Sequence, residues 1–414
     1  MWLTERILMV DCDEMKKKSI YLCLAQMSRS GAEQQYVKEA FDTNWITPLG
    51  PNVTAFENDI EQWMNRSGSS KYVTALSSGT AAIHLALLMC GVTHGDEVIC
   101  QSFTFCASAN PIIYLGAIPV LVDSEKDSWN MDPELLEHTI QDRIDKTGKK
   151  PKAIIVVHLY GMPANMNRLV EISHKYAIPL VEDAAEAMGA GFDNHYCGTM
   201  GTYGVFSFNG NKMITTSGGG ALICSSVEEK NKALFYATQA REKYPFYHHE
   251  SIGYNYRMSN VSAGIGRGQM TVLDEHVAHH RRLAHYYRSA FERMDGILFH
   301  DTPGTMYNPN FWLSTILIQP SVKTKNKIDN SFPADMVAPN ENVEALRQLL
   351  QMENIETRPL WKPLHLQPVF SSFPIYENGT SLSLFRQGLC LPSGPCVTIE
   401  DAQFIVKKIQ EFIF

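Results

Sequence analysis

One lysine stands in a glycine-rich, apolar stretch, GTYGVFSFNGNKMITTSGGGALIC, from Gly201 to Cys224. Lysine is rarely buried without a partner. An amine held in such a place suits Schiff-base chemistry, because desolvation favours the neutral, nucleophilic form of Lys212. The glycines at 218–220 would let backbone approach a bound group closely. The plainer alternative is a surface hairpin with a solvated lysine. A second segment, LVEDAAEAMGA at 180–190, ends a buried strand in Glu182 and Asp183. Ligands of open α/β sheets bind beyond the carboxyl ends of strands, where a carboxylate can pair with a protonated ring nitrogen. The same acid could simply cap the next helix. A third segment, SSGTAAIHLAL at 77–87, leads small residues and a glycine into a helix. Free backbone amides at that helix start, beside the hydroxyls of Ser78 and Thr80, make a phosphate cradle. By itself it reads more readily as an ordinary capped helix. A fourth, GYNYRMSN at 253–260, is dense in polar aromatics and amides and says little alone.

Phosphate cradle, acid at a strand end and lysine, in that order, are what a pyridoxal phosphate enzyme needs. The acid keeps the pyridine nitrogen protonated, and the lysine holds the aldehyde and then moves protons.

The elements that must position these groups are short apolar runs alternating with helical stretches. Strands are expected at 97–100, 118–122, 153–157, 179–182 and 312–318. Helices are expected at 31–44, 78–90, 106–115, 132–143, 164–176, 227–242, 259–294, 341–353 and 398–413. This alternation predicts a mostly parallel sheet covered on both faces. Residues 1–25 read as an extended lead-in, and the polar, proline-containing 320–341 stretch as a long loop. The expected organisation is a lead-in over 1–30, a large α/β domain over 31–270 and a small α+β domain over 271–414.

The 414 residues are too many for one minimal domain, and the 44% hydrophobic content supplies a sizeable core. With 36 Lys+Arg against 44 Asp+Glu, the net charge is −8. A mildly acidic chain without a basic tract argues against nucleic-acid binding. No apolar run approaches the roughly 20 residues that span a bilayer. The first residues, MWLTERILMVDCDEMKKKS, mix acids with apolar residues, unlike a signal peptide. A cytoplasmic protein with no membrane partner is expected. Nine cysteines without C-x-x-C or zinc spacing argue against disulfides and metal sites.

At these residues the sequence resembles the DegT/DnrJ/EryC1/StrS family of sugar aminotransferases. ITPLGP at 46–51, SSGTAAIHLAL, QSFTFCASANPI at 101–112, VEDAAEAMGA, SFNGNKMITTSGGG, GYNYRMSN and ETRPLWKPLH at 356–365 carry the likeness, which runs from about Tyr21 to the C-terminus. SFNGNK-ITTSGGG with ETRPLWK-H looks most like the branch that aminates UDP-4-keto-6-deoxy-N-acetylglucosamine on the route to bacillosamine-type sugars. The resemblance implies a fold type I PLP-dependent transferase: a mixed, mostly parallel seven-stranded sheet between helices, plus a small C-terminal domain.

It also implies roles. Lys212 would bind the cofactor aldehyde and Asp183 the pyridine nitrogen. Phe105 would stack on the ring. Ser78, Gly79, Thr80 and Ser207 would seat the phosphate. Asn255 would reach the phosphate of a neighbouring subunit, making a homodimer with shared active sites. Glu186 stands where many members have Gln, near the ring hydroxyl. Arg358, Trp361, Lys362 and His365 are candidates for the nucleotide-sugar side, since Arg and Lys neutralise a diphosphate and an aromatic covers a uracil or sugar face; the alternative is a proline-rich connector pinned by Trp361. The implied reaction moves the amino group of L-glutamate onto the C4 ketone of a UDP-linked 4-keto-6-deoxy sugar.

Competing readings have specific obstacles. Dehydratase members of the family replace the lysine with histidine, whereas Lys212 is present. A nicotinamide enzyme needs G-x-G-x-x-G, and Gly189-x-Gly191 meets Asn194 while Gly264-x-Gly266 meets Gln269. A non-catalytic regulator would not need both Lys212 and Asp183.

Overall fold

The computed structural model describes residues 18–322, 324, 332–333 and 336–413. The start of the expected lead-in and much of the 320–341 loop lie outside the described residues.

The strands in chain order are β1 (Tyr72–Leu76), β2 (Glu97–Gln101), β3 (Ile118–Val122), β4 (Ala153–Val157), β5 (Leu180–Asp183), β6 (Gly191–Phe192), β7 (His195–Tyr196), β8 (Tyr203–Ser207), β9 (Gly220–Cys224), β10 (Ile297–Phe299), β11 (Tyr307–Asn308), β12 (Ser314–Ile318), β13 (Arg358–Pro359), β14 (Ile375–Tyr376) and β15 (Gly388–Leu391). The large sheet has the order β1-β9-β8-β5-β4-β2-β3-β14. Only β9 runs against the rest, through antiparallel pairing with β1 and β8. Seven strands come from the first 224 residues. The eighth, β14, is a two-residue addition from the C-terminal part, paired parallel to β3.

Successive side chains of a strand point to opposite faces. Val98, Cys100, Leu121, Ile155 and Val181 enter one core, with the Gly79–Met89 helix. Ile99, Val120, Val122, Ile154 and Val156 enter another on the opposite face, with the Pro133–Thr147 and Met166–Tyr176 helices. Every residue of β4, AIIVV, is buried, so truncating Ile154 or Ile155 to Ala would cost about 2–5 kcal/mol.

A second sheet, β10-β12-β15-β13, is antiparallel throughout. It packs on Leu283, Tyr287 and Phe291, on Val343, Leu346 and Leu350, and on Ile405, Ile409 and Phe412. These side chains belong to the Leu273–Phe291, Glu341–Met352 and Ile399–Phe412 helices. Residues 360–376 return to the large sheet, where Leu364 and Phe370 join the core beside β2. A division near 270, which we propose as the domain boundary, therefore separates the two sheets without separating every later residue.

Two expected helices divide. The 259–294 stretch forms Asn260–Met270 and Leu273–Phe291. Between them the Thr271 hydroxyl donates back to the Gly268 carbonyl at 2.6 Å, a local bond that competes with helix continuation. The 106–115 stretch is a Cys106–Ser108 3₁₀ turn followed by a short Asn110–Tyr114 helix, with Pro111 in the first turn of the latter. The 227–242 helix ends at Ala237, because Gln239 and Ala240 take left-handed backbone.

Candidate active site

Strand β1 runs out at Leu76, and the Gly79–Met89 helix begins two residues after Ser77. Ser78 is its N-cap: the side-chain oxygen accepts from the Ala81 amide at 3.0 Å and the carbonyl from the Ala82 amide at 3.2 Å. The Gly79 and Thr80 amides come earlier than any intrahelical acceptor and lie at the positive helix end. Ser207, at the end of β8, lies beside Gly79. Gly220 opens β9 so close to this turn that a Cβ would sit 2.3 Å from the Gly79 nitrogen. Only glycine permits this approach. The result is a seat for an anion.

Asp183 ends β5 and is 5% exposed. Its Oδ2 accepts from the Ser108 hydroxyl at 2.6 Å and its Oδ1 from the Ala185 amide at 3.2 Å. Lys212 lies on the β8–β9 connection. Its Nζ donates to Glu186 Oε1 at 3.2 Å and sits 4.3 Å from the Trp312 ring centre. The lysine is thus held by a carboxylate and an aromatic face, rather than alone among apolar groups. The second oxygen of Glu186 accepts from the Tyr160 amide at 2.8 Å. Burial pushes the Glu186 carboxyl up to about 7, against the opposing pull of Lys212 and the Tyr160 amide.

These groups line one cavity of about 890 Å³. Ser78, Gly79, Thr80, Phe105, Asp183, Glu186, Ser207 and Lys212 all reach it, as do Arg358, Trp361 and Lys362, which form a second wall from the 358–362 connection. Phe105 is 55% exposed into this space and meets Trp361 at 5.7 Å between ring centres. Arg358 is exposed, with Nη2 donating to Glu356 Oε1 at 3.0 Å. Two candidates stand elsewhere. The His365 side chain is largely buried and does not line the cavity; its Nδ1 lies 2.7 Å from Ser102 Oγ, which also accepts from the His365 amide at 3.3 Å. It pins the proline-rich connection to the end of β2. Asn255 is exposed, bridged to Thr238, and absent from the lining of its own chain's cavity.

The sequence reading missed Tyr160, Trp312 and the strip Leu22–Leu24, which lines the cavity from the expected lead-in. An aromatic before a glycine in HLYGMP was a signal for Tyr160; the other two carried none. Cys23 and Cys390 also reach the cavity. Burial pushes the Cys23 thiol up to about 12 and raises Cys390 as well, so neither is a thiolate at neutral pH.

The donor set fits pyridoxal phosphate. It offers an anion seat at a helix start, a buried carboxylate at a strand end, an amine between them and an exposed aromatic face. Among the described residues no helix is long and apolar enough to cross a membrane.

The family model of the DegT/DnrJ/EryC1/StrS aminotransferases matches residues 28–410. A relative from Bacillus subtilis (strain 168), named "Putative pyridoxal phosphate-dependent aminotransferase EpsN", is 45% identical over 96% of each chain. The GDP-perosamine synthase of Escherichia coli O157:H7 is 34% identical over 95% of this chain and 98% of its own. A crystal structure of a DegT DnrJ EryC1 StrS aminotransferase from Brucella abortus superposes with a TM-score of 0.81 at 26% identity, covering 92% of this chain and 95% of that one.

Proposed function

The chain belongs to the DegT/DnrJ/EryC1/StrS aminotransferase family, and from that premise we propose that it moves the amino group of L-glutamate onto the C4 ketone of a nucleotide-linked 4-keto-6-deoxy sugar, in the cytoplasm, for amino-sugar glycan or polysaccharide synthesis. It is a PLP-dependent sugar aminotransferase with the fold type I architecture. The acceptor we propose is UDP-4-keto-6-deoxy-N-acetylglucosamine. The observation that carries the reading is the convergence of Lys212, Asp183 and the Ser78–Thr80 anion seat on one cavity whose other wall carries Arg358, Trp361 and Lys362.

Pyridoxal phosphate, when bound, supplies an electron sink for the carbon next to the transferred amine. The amides of Gly79 and Thr80, with the hydroxyls of Ser78, Thr80 and Ser207, hold its phosphate. Asp183 would keep a proton on the ring nitrogen, and Phe105 would offer its ring as a stacking partner. Lys212 would anchor the cofactor through Nζ. With L-glutamate bound, Lys212 Nζ would serve as the base that takes the proton from the donor's Cα and as the acid that returns it across the transferred amine. Glu186 would hold the Lys212 amine in reach, and release of 2-oxoglutarate would consume one water, which supplies the keto oxygen while the nitrogen stays for the acceptor. With the keto sugar, Lys212 reverses the transfer. Arg358 and Lys362 neutralise the diphosphate, and Trp361 covers the base or sugar.

We further propose a homodimer with shared active sites. The exposed Asn255, lying outside its own chain's cavity, supports a reach into a partner's site. A second reading of the nucleotide, guanosine diphosphate, is favoured by the name of the 34% identical relative. A panel of 4-keto-6-deoxy sugars on UDP, dTDP and GDP, offered with L-glutamate, decides among them. Amine formation only on the UDP substrate supports the first reading, and only on the GDP substrate the second. Turnover of none would overturn the proposed acceptor class.

A further inference from the structure

Tyr160 has a backbone that its residue type disfavours. It sits in the left-handed region, at φ 55° and ψ 17°, and is 2% exposed. A bulky side chain stays there only where the surroundings over-determine it. The surroundings here do so from both sides of the cavity. The Tyr160 amide donates to Glu186 Oε2 at 2.8 Å, on the lysine side. Its phenol oxygen accepts from the Trp361 amide at 2.9 Å, on the opposite wall. The ring packs edge-on to Phe103 and lies 5.1 Å from the Trp361 ring. The flanking turn is fixed as well: the His158 amide donates to the Asp183 carbonyl at 3.2 Å, and the Leu159 amide to Asn130 Oδ1 at 2.9 Å. Burial raises the phenol's pKa well above its ordinary value, so the group stays a neutral hydroxyl.

We propose that Tyr160 is a positioning residue that sets the distance between the Lys212–Glu186 pair and the Trp361 wall, and that its phenol arm governs the fit of the acceptor sugar rather than the chemistry of the amino donor. The two arms are separable. Tyr160→Phe keeps the ring and the amide bond to Glu186. It removes the acceptor for the Trp361 amide, which then stays partly buried without a partner, and the phenol's contact with the Cys390 thiol. The loop carrying Arg358, Trp361 and Lys362 loses its tether to the lysine side, while Lys212 keeps its carboxylate.

This rests on the proposed acceptor class, so the experiment has two independent readouts. The first is amide hydrogen exchange of the 358–364 peptide in the purified holoenzyme, which needs no substrate. Tyr160→Phe should speed exchange there about tenfold, the equivalent of one lost hydrogen bond, with peptides around Asp183 and Lys212 unchanged. The second is kinetic. KM for the keto sugar should rise about tenfold in the variant, while the L-glutamate half-reaction slows less than threefold. Unchanged exchange at 358–364 would overturn the tether. Equal slowing of both half-reactions would overturn the division of labour and leave Tyr160 a general structural residue. If the wild type aminates no keto sugar, the acceptor reading fails instead, and the exchange result still decides the tether.

Discussion

The two walls of the cavity are built differently. The cofactor wall is made of strand ends: Ser78 and Gly79 follow β1, Asp183 closes β5, Ser207 closes β8 and Gly220 opens β9. Parallel strands deliver their carboxyl ends to one edge, so residues more than 100 positions apart converge there, and local contacts such as Ser108 to Asp183 then fix them. The acceptor wall is an irregular connection. Arg358 belongs to a two-residue strand of the second sheet, and Trp361 and Lys362 follow it with no helix or strand of their own. That wall depends on individual ties: the Trp361 amide to the Tyr160 phenol, the Leu364 amide to the Ser102 carbonyl at 2.8 Å, and His365 to Ser102. In the proposed reading, the strand-end edge serves the chemistry and the tethered connection selects what the chemistry acts on.

Substitutions on the two walls should therefore fail in different ways. The largest effect is expected for Lys212→Arg. It keeps a cation near Glu186 but loses the amine that moves protons, so turnover should fall by about 10³-fold or more, measured as 2-oxoglutarate release. Near-normal turnover would break the comparison at its first wall. Arg358→Ala should raise KM for the nucleotide sugar by about five- to tenfold and leave the L-glutamate half-reaction alone. Equal loss in both half-reactions would merge the walls.

A third test uses pH. The folded protein holds the Glu186 proton more tightly than the unfolded chain, because burial raises this carboxyl from 4.5 to about 7. The stability it contributes is full below about pH 4.5 and is lost as pH rises through about 7. Melting curves of cofactor-free Glu186→Gln should consequently fall less between pH 5 and pH 8 than those of the wild type. Parallel curves would remove Glu186 as the titrating partner of Lys212. The smallest effect belongs to His365→Ala. It should cost about 1 kcal/mol of stability by denaturant unfolding, and because the Leu364 amide still holds Ser102, KM for the sugar should change less than threefold.

The contrast between the walls also explains what could be read from the chain. Strands such as AIIVV at 153–157 announce themselves through β-branched residues, and ligands of such sheets bind beyond the strands' carboxyl ends. Lys212, Asp183 and Ser78 were therefore legible as a group. The acceptor wall was legible in composition only. Arg358, Trp361 and Lys362 have the right chemistry and do line the cavity. His365, in the same motif, turns inward because its partner Ser102 lies 263 residues away. Trp312 was invisible for the same kind of reason, since its contact with Lys212 arises from tertiary packing, and the HLYGMP pattern around Tyr160 marks a turn without showing what the side chain ties together. The break at Thr271 hides in a stretch whose periodicity reads as one helix, since a side-chain bond to its own backbone leaves no trace in apolar spacing.

The central claim is that Lys212 and Asp183 form an amino-transferring pair around pyridoxal phosphate. The visible absorption spectrum of the purified protein, supplied with the cofactor and then with L-glutamate, tests it most directly. The account predicts a band from lysine-bound cofactor that fades when L-glutamate is added, and no such fading in Lys212→Arg. A band that L-glutamate leaves unchanged in the wild type, or no band after the cofactor is added, would contradict it.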